Sequence, residues 1–169
     1  VGNLYGEVKF LKNFTFRSSF GFDFEYADSQ TFVPVFFVTP QQQNDETRLS
    51  KNRFSKENWL VENTLNYHLD IDDHSLDAVI GYTTQEDNEE GLQGAGSNLL
   101  RDNILYLSND LTDLTIGNSA NVKSLVSYLA RANYTYKNKY LLTATFRRDG
   151  SSIFASDNRW GNFPSFAAG

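Results

Sequence analysis

The chain has 169 residues, with 21 Asp plus Glu against 15 Lys plus Arg, a formal net charge of −6, and no cysteine. That length suits one ordinary domain. The acidic balance argues against general nucleic-acid binding, which expects a basic footprint, and the missing cysteine excludes disulfides and thiolate metal sites. No apolar run is long enough for a membrane helix. The mean hydropathy of −0.48 does not exclude a membrane, because strands that alternate apolar and polar residues cancel on average.

The apolar period is two nearly everywhere, which predicts strands. The first runs about 3–11, with Leu4, Val8 and Phe10 opposite Tyr5, Glu7 and Lys9. Lys12 and Asn13 make a tight turn. The second, 14–26, reads FTFRSSFGFDFEY and puts Phe14, Phe16, Phe20, Phe22, Phe24 and Tyr26 opposite Arg17, Ser19, Asp23 and Glu25. A third, about 57–70, aligns Trp59, Val61, Leu65, Tyr67 and Leu69. After an acidic turn, the fourth (75–86) aligns Leu76, Ala78, Ile80 and Tyr82. The fifth (123–136) carries Val126, Tyr128, Ala130, Ala132, Tyr134 and Tyr136 opposite Ser127, Arg131 and Asn133. The turn KNK, 137–139, leads to the sixth (140–149), with Tyr140, Leu142, Ala144 and Phe146 opposite Thr143, Thr145 and Arg147. A seventh begins near Trp160.

Short turns alternate with two long polar segments, about 27–56 and 88–121, which are expected as loops at the opposite end of the hairpins. That asymmetry is characteristic of an outer-membrane barrel. A strand of thirteen residues at about 3.3 Å each, tilted about 45°, projects to roughly the thickness of a hydrocarbon core. Phe10, Phe14, Tyr67, Tyr136 and Tyr140 are expected as one aromatic girdle, and Phe24, Tyr26, Trp59, Tyr82 and Phe146 as the other. The expected fold is all-β: six or seven antiparallel strands of a larger transmembrane β-barrel. Unpaired edges cannot sit in hydrocarbon, so these strands need further partners. VGNLYGEVKF has no initiator Met or signal pattern and FPSFAAG stops in an apolar run, so a segment of a longer protein is expected.

The string YLLTATFRRDGSSIFASDNRWGNFPSFAAG, 140–169, resembles the barrel of SusC/RagA-type TonB-dependent transporters of Bacteroidota. GNLYGEVKFLKNFTFRSSFGFDF, NWLVENTLNY and HSLDAVIGYTTQ look like earlier hairpins of that family. Ile153 stands where the family pattern carries Arg, and Ala155 where Gly is usual. The resemblance implies a plugged barrel in the outer membrane, of 22 strands as in other outer-membrane transporters with a plugged lumen. It further implies import of an oligosaccharide or peptide cargo, a SusD-like surface lipoprotein over the mouth, and energy through TonB. Residues 1–169 would lie within the barrel domain, with plug and N-terminal extension elsewhere.

Candidate cargo or loop contacts are Tyr5, Arg17, Asp23, Glu25, Arg131 and Arg147 on the polar face, and Phe36 and Phe37 in the apolar stretch TFVPVFFVTP. That stretch is read equally as an interaction loop or as an extra strand. Arg147 is also expected to fix a loop by pairing with Asp149, and Arg148 to face outward, where headgroup phosphates accept its charge. DIDDH at 70–74 and EDNEEG at 86–91 carry oxygens that suit calcium, yet a solvated turn and a solvated loop are the preferred readings, so no metal is expected. GLQGAG lacks the spacing and following helix of a nucleotide loop, and no cofactor is expected. His68 and His74 have no Ser or Cys partner for a triad. The alternatives are a secreted or surface β-sandwich that binds glycans, and a glycoside hydrolase, which would need two convergent carboxylates. A non-enzymatic transporter segment is the preferred reading.

Overall fold

The computed structural model describes residues 1–101 and 104–169; Asp102 and Asn103, within the predicted loop 88–121, lie outside the described residues. Among the described residues nine strands form: β1 (Gly2–Phe10), β2 (Phe14–Val33), β3 (Phe36–Thr39), β4 (Gln42–Asn44), β5 (Arg48–Ile71), β6 (His74–Ser97), β7 (Thr112–Tyr136), β8 (Tyr140–Ser151) and β9 (Trp160–Ala168). Seven make one sheet in the order β1-β2-β5-β6-β7-β8-β9, and β3 pairs with β4 in a separate hairpin. All seven predicted strands are present in chain order. The predicted long loops are corrected: most of 27–56 and 88–121 is strand, because β2, β5, β6 and β7 continue to 33, from 48, to 97 and from 112.

The chain divides into two compact units. One comprises Val1–Asp23, Asn58–Asp87 and Val122–Gly169; the other comprises Phe24–Glu57 and Asn88–Asn121. In the first, each strand has at least the roughly 9–11 residues that a tilted membrane crossing needs. In the second, β2, β5, β6 and β7 carry polar side chains on both faces, from Asp28 and Arg53 to Asn52 and Gln93. A sheet that is polar on both sides cannot touch hydrocarbon, so this unit sits in water.

Register fixes the faces of the first unit, since directly opposed residues share a side. Gly2, Leu4, Val8 and Phe10 oppose Phe22, Phe20, Phe16 and Phe14, whereas Tyr5 and Glu7 oppose Ser19 and Arg17. Tyr128, Ala130, Ala132 and Tyr134 oppose Arg148, Phe146, Ala144 and Leu142. The Phe-bearing side is the outer face, the other the inner face. Phe16, Phe20 and Phe22 are 39%, 41% and 46% exposed, and Leu49 and Leu111 are the buried apolar residues among those described. A sandwich would bury those rings in a dry interior; here they project from the sheet, as lipid-facing side chains do.

The hairpin turns use residues in the left-handed region: Leu11 (φ 47°) and Lys12 (61°) in the first, Asp72 (51°) in the second, Lys137 (51°) and Asn138 (52°) in the third. Positive φ at successive turn positions matches the right-handed twist of the flanking strands. The first turn spans Leu11–Asn13, since Phe10 opposes Phe14, one residue earlier than predicted. Adjacent turns and strands are tied together: the His68 amide donates to the Asn13 carbonyl at 3.0 Å and the Lys137 amide to the Asp73 carbonyl at 2.7 Å.

Two outcomes are expected of the whole barrel protein folding into bilayers under urea titration. Leu11→Asn raises stability by about 0.5–1 kcal/mol, because a left-handed non-Gly residue costs about 1–2 kcal/mol and Asn tolerates that region. An unchanged or lowered midpoint would count against the turn geometry. Ile80→Arg on the outer face lowers stability by about 2–4 kcal/mol, while Arg131→Ala on the inner face changes it far less; equal losses would contradict the two-faced wall.

Candidate functional site: the inner wall and the aqueous sheet

Aromatic rings mark the outer face at both ends of the first unit. Beside the turns, Phe10 stacks on Phe14 at 5.6 Å and Phe14 lies 4.7 Å from Tyr67. His74 lies 4.8 Å from Tyr136, which stacks on Tyr140 at 6.4 Å. Farther along the strands, Tyr82 contacts Tyr128 at 5.4 Å and Tyr128 stacks on Trp160 at 6.0 Å. Trp160 opposes Gly150, and a Cβ there would come within 2.8 Å of the indole, so glycine is what lets the ring lie flat on the strand. The ten steps from Tyr140 to Gly150 span about 33 Å, or roughly 25 Å at a barrel tilt, the height of an outer-membrane apolar band.

The inner face is polar and internally paired. Arg17 lies over the Tyr5 ring at 4.4 Å and opposes Glu7, so two predicted site residues come together. The Ser19 hydroxyl donates to Glu62 at 3.4 Å. His68 sits between Asp77 at 2.6 Å and Asp70 at 2.9 Å. Arg131 donates to Asn133 at 3.4 Å, and the Thr143 hydroxyl donates to the same oxygen at 3.0 Å. Arg147 donates to both oxygens of Asp149, at 2.8 and 2.9 Å. That pair lies within β8, so it stiffens a strand rather than the predicted loop. Arg159 holds the neighbouring loop instead, donating to the Phe154 carbonyl at 3.2 Å. Asp23 and Glu25 are exposed and fall in different units.

Sequence reasoning missed Phe163. It opposes Arg147, so it adds an aromatic ring to the inner face. Its signal was masked because Trp160 and Phe166, of the opposite parity, claim the alternation for the outer face.

In the aqueous unit, the stretch holding Phe36 and Phe37 is an extra strand, paired to Asn44 and Gln43, and both rings are exposed. Asn44 clamps the loop by donating to the carbonyls of Pro34 and Glu46, each at 2.6 Å. The Thr47 hydroxyl accepts from the Leu99 amide at 2.7 Å. A second cluster was not anticipated. Tyr26 donates to Asp28 at 2.8 Å and Arg53 donates to its other oxygen at 3.1 Å, while Lys51 lies 5.2 Å over the Tyr106 ring. Asp28, Lys51 and Arg53 edge a cavity of about 420 Å³ with apolar walls from Leu92, Leu107 and Ile116. The Tyr26 hydroxyl first, and then Arg53, hold the Asp28 carboxyl below its usual range.

No acid-rich group among the described residues has the three ligands that a metal site needs. In the turn at 70–74, Asp70 contacts His68 at 2.9 Å and Asp73 pairs with Lys137 at 3.7 Å.

A closed sheet edge is required wherever a strand meets lipid, and β1 and β9 each leave one edge open; the sheet is therefore an antiparallel segment of a larger transmembrane β-barrel. No protein-family model matches the chain. Two TonB-dependent receptors of Formosa agariphila are 30% and 32% identical over 98% of it, matching 16% of each. The TonB-dependent receptor SusC of Bacteroides thetaiotaomicron is 61% identical over 46 residues, 27% of this chain and 5% of that protein. The RagAB peptide transporter superposes with a TM-score of 0.88 over 98% of this chain and 19% of that one, at 18% identity. The chain belongs to the SusC/RagA-type TonB-dependent receptors and is a barrel segment of one. It spans about a sixth of the length of the Formosa relatives it matches.

Because Asp28 ionises below the usual carboxylate range, its contact with Arg53 is expected to persist through mild acid. A group with a depressed folded pKa contributes stability above its unfolded pKa and loses it as pH falls through the folded one. Carbon NMR of the Asp28 carboxyl in the whole protein should show a midpoint below that of an unpaired Asp, moving up in Arg53→Gln. A normal midpoint in both would exclude the clasp.

Proposed function

We propose that this chain forms part of the wall of an outer-membrane importer that moves oligosaccharides or peptides. The observation that carries the reading is the two-faced sheet, matched along 98% of its length by TonB-dependent receptors. Residues 1–169 lie in the barrel domain, and plug and N-terminal extension belong to the rest of the protein. Tyr5, Arg17, Arg131, Arg147 and Phe163 line the passage. Asp23 and Glu25 lie farther along the same face of β2.

The inner wall suits passage rather than capture. Its cations are held by close neighbours, Arg147 by Asp149 and Arg17 over the Tyr5 ring. A polar cargo thus meets hydrogen-bonding groups and the exposed rings of Tyr5 and Phe163, without a deep charged trap from which it could not leave. Rings of this kind stack on sugars and on apolar peptide side chains alike. Displacement of the plug is driven from the inner membrane through TonB. A SusD-like lipoprotein covers the outer mouth, and Phe36 and Phe37 offer exposed apolar surface for it or for the cargo. The chain's role is non-enzymatic: it positions, admits and releases.

Uptake tests this reading. A strain lacking the whole gene, complemented with wild type, is offered fluorescent oligosaccharides and oligopeptides. Accumulation of one class is expected with the wild type and is lost without TonB. Accumulation unaffected by the gene, or a protein that fractionates away from the outer membrane, would overturn it.

A further inference from the structure

The outer face of β7, β8 and β9 carries a charge that the barrel itself does not answer. Tyr128, Arg148 and Asn162 oppose one another across three strands and so lie on the lipid side. Arg148 is exposed, and its guanidinium lies 4.8 Å over the Trp160 indole. Trp160 stands one rung farther from the turns, at the upper edge of the apolar band, so Arg148 reaches along the strand toward the membrane surface. Among the described residues no carboxylate pairs with it, in contrast to Arg147 beside it, which has Asp149. An unanswered cation on a lipid-facing surface is costly and seeks an anion at the interface.

A second, separate feature lies below it on the same face. Ala132, Ala144 and Phe166 oppose one another, and Tyr134, Leu142 and Ala168 form the next rung. These six residues line an apolar groove of about 510 Å³. Its floor is low because the central residues are alanines between the taller Tyr134 and Phe166. Ala144 and Arg148 lie four steps apart, about 13 Å along β8, a distance that one lipid molecule spans from headgroup to mid-chain.

We infer that this face holds one phosphate-bearing membrane lipid in a fixed position: Arg148, braced by Trp160 and beside Asn162, takes the headgroup phosphate, and the alanine groove takes an acyl chain. The cation–π contact orients the guanidinium and leaves its edge free for the bidentate hydrogen bonds that phosphate accepts. Neutral sugars and the aqueous passage play no part, so the site stands on the barrel fold and not on the import reading.

The complete barrel protein is purified in detergent, supplied with phosphatidylglycerol, and analysed by native mass spectrometry for retained lipid. Heat-modifiable gel migration confirms that each variant is folded. Wild type is expected to keep one lipid. Arg148→Gln weakens retention about tenfold, the loss of one charge-assisted contact, and Arg148→Lys weakens it less. Ala144→Leu, which adds apolar volume at a lipid-facing position and so preserves the fold, weakens retention with Arg148 intact. Arg131→Gln on the inner face leaves it unchanged. Retention by Arg148→Gln or Ala144→Leu equal to wild type, an equal loss in Arg131→Gln, or displacement by inorganic phosphate at the same concentration would overturn the assignment.

Discussion

The requirement on which this structure depends is that one side of a sheet meets hydrocarbon, where no backbone or side-chain polar group can be left to water. Antiparallel pairing satisfies the amides within the sheet, and the period-two geometry of a strand then sorts side chains between two media. Everything else is subordinate: the row of Phe residues on β2, the alanines and Tyr134 on β7, and the inward Arg, Asn, Thr and His. Hydrophobic burial against a protein core contributes little, since Leu49 and Leu111 alone among the described apolar residues are buried. The apolar surface finds its partner in lipid.

Charge placement follows the same rule. On the inner face, Arg147 and Asp149, Arg131 and Asn133, and His68 with its two aspartates satisfy one another within the wall. Short-range pairing keeps long side chains down against the strands. On the outer face, tyrosines and Trp160 mark the level at which polar groups are again permitted, and Arg148 stands at that level. In the aqueous unit the restriction lapses, and Asp28, Lys51 and Arg53 gather on one side of the sheet around an apolar-walled cavity.

The difference in medium also explains what the sequence disclosed and what it concealed. Residues 14–26 announce themselves because lipid and water select opposite residue types at alternate positions. The continuations at 27–33, 48–56, 88–97 and 112–121 are strands just as regular, but water wets both sides of them, selection is the same at every position, and the alternation disappears. They read as loops for that reason. The Tyr26–Asp28–Arg53 cluster was invisible as a consequence, since it joins two segments whose pairing was unrecognised. Tyr5 and Arg17 could be placed on one face from parity, yet their contact is diagonal and depends on a three-residue turn that the pattern placed one residue late. Phe163 was hidden by louder neighbours of the other parity.

The pairing pattern of the main sheet carries one more implication. Its order, β1-β2-β5-β6-β7-β8-β9, joins strands that are consecutive in the chain or separated only by the β3–β4 hairpin. Contacts between near neighbours in sequence close short loops and cost little chain entropy. The wall can therefore grow by adding one hairpin at a time to the strand before it.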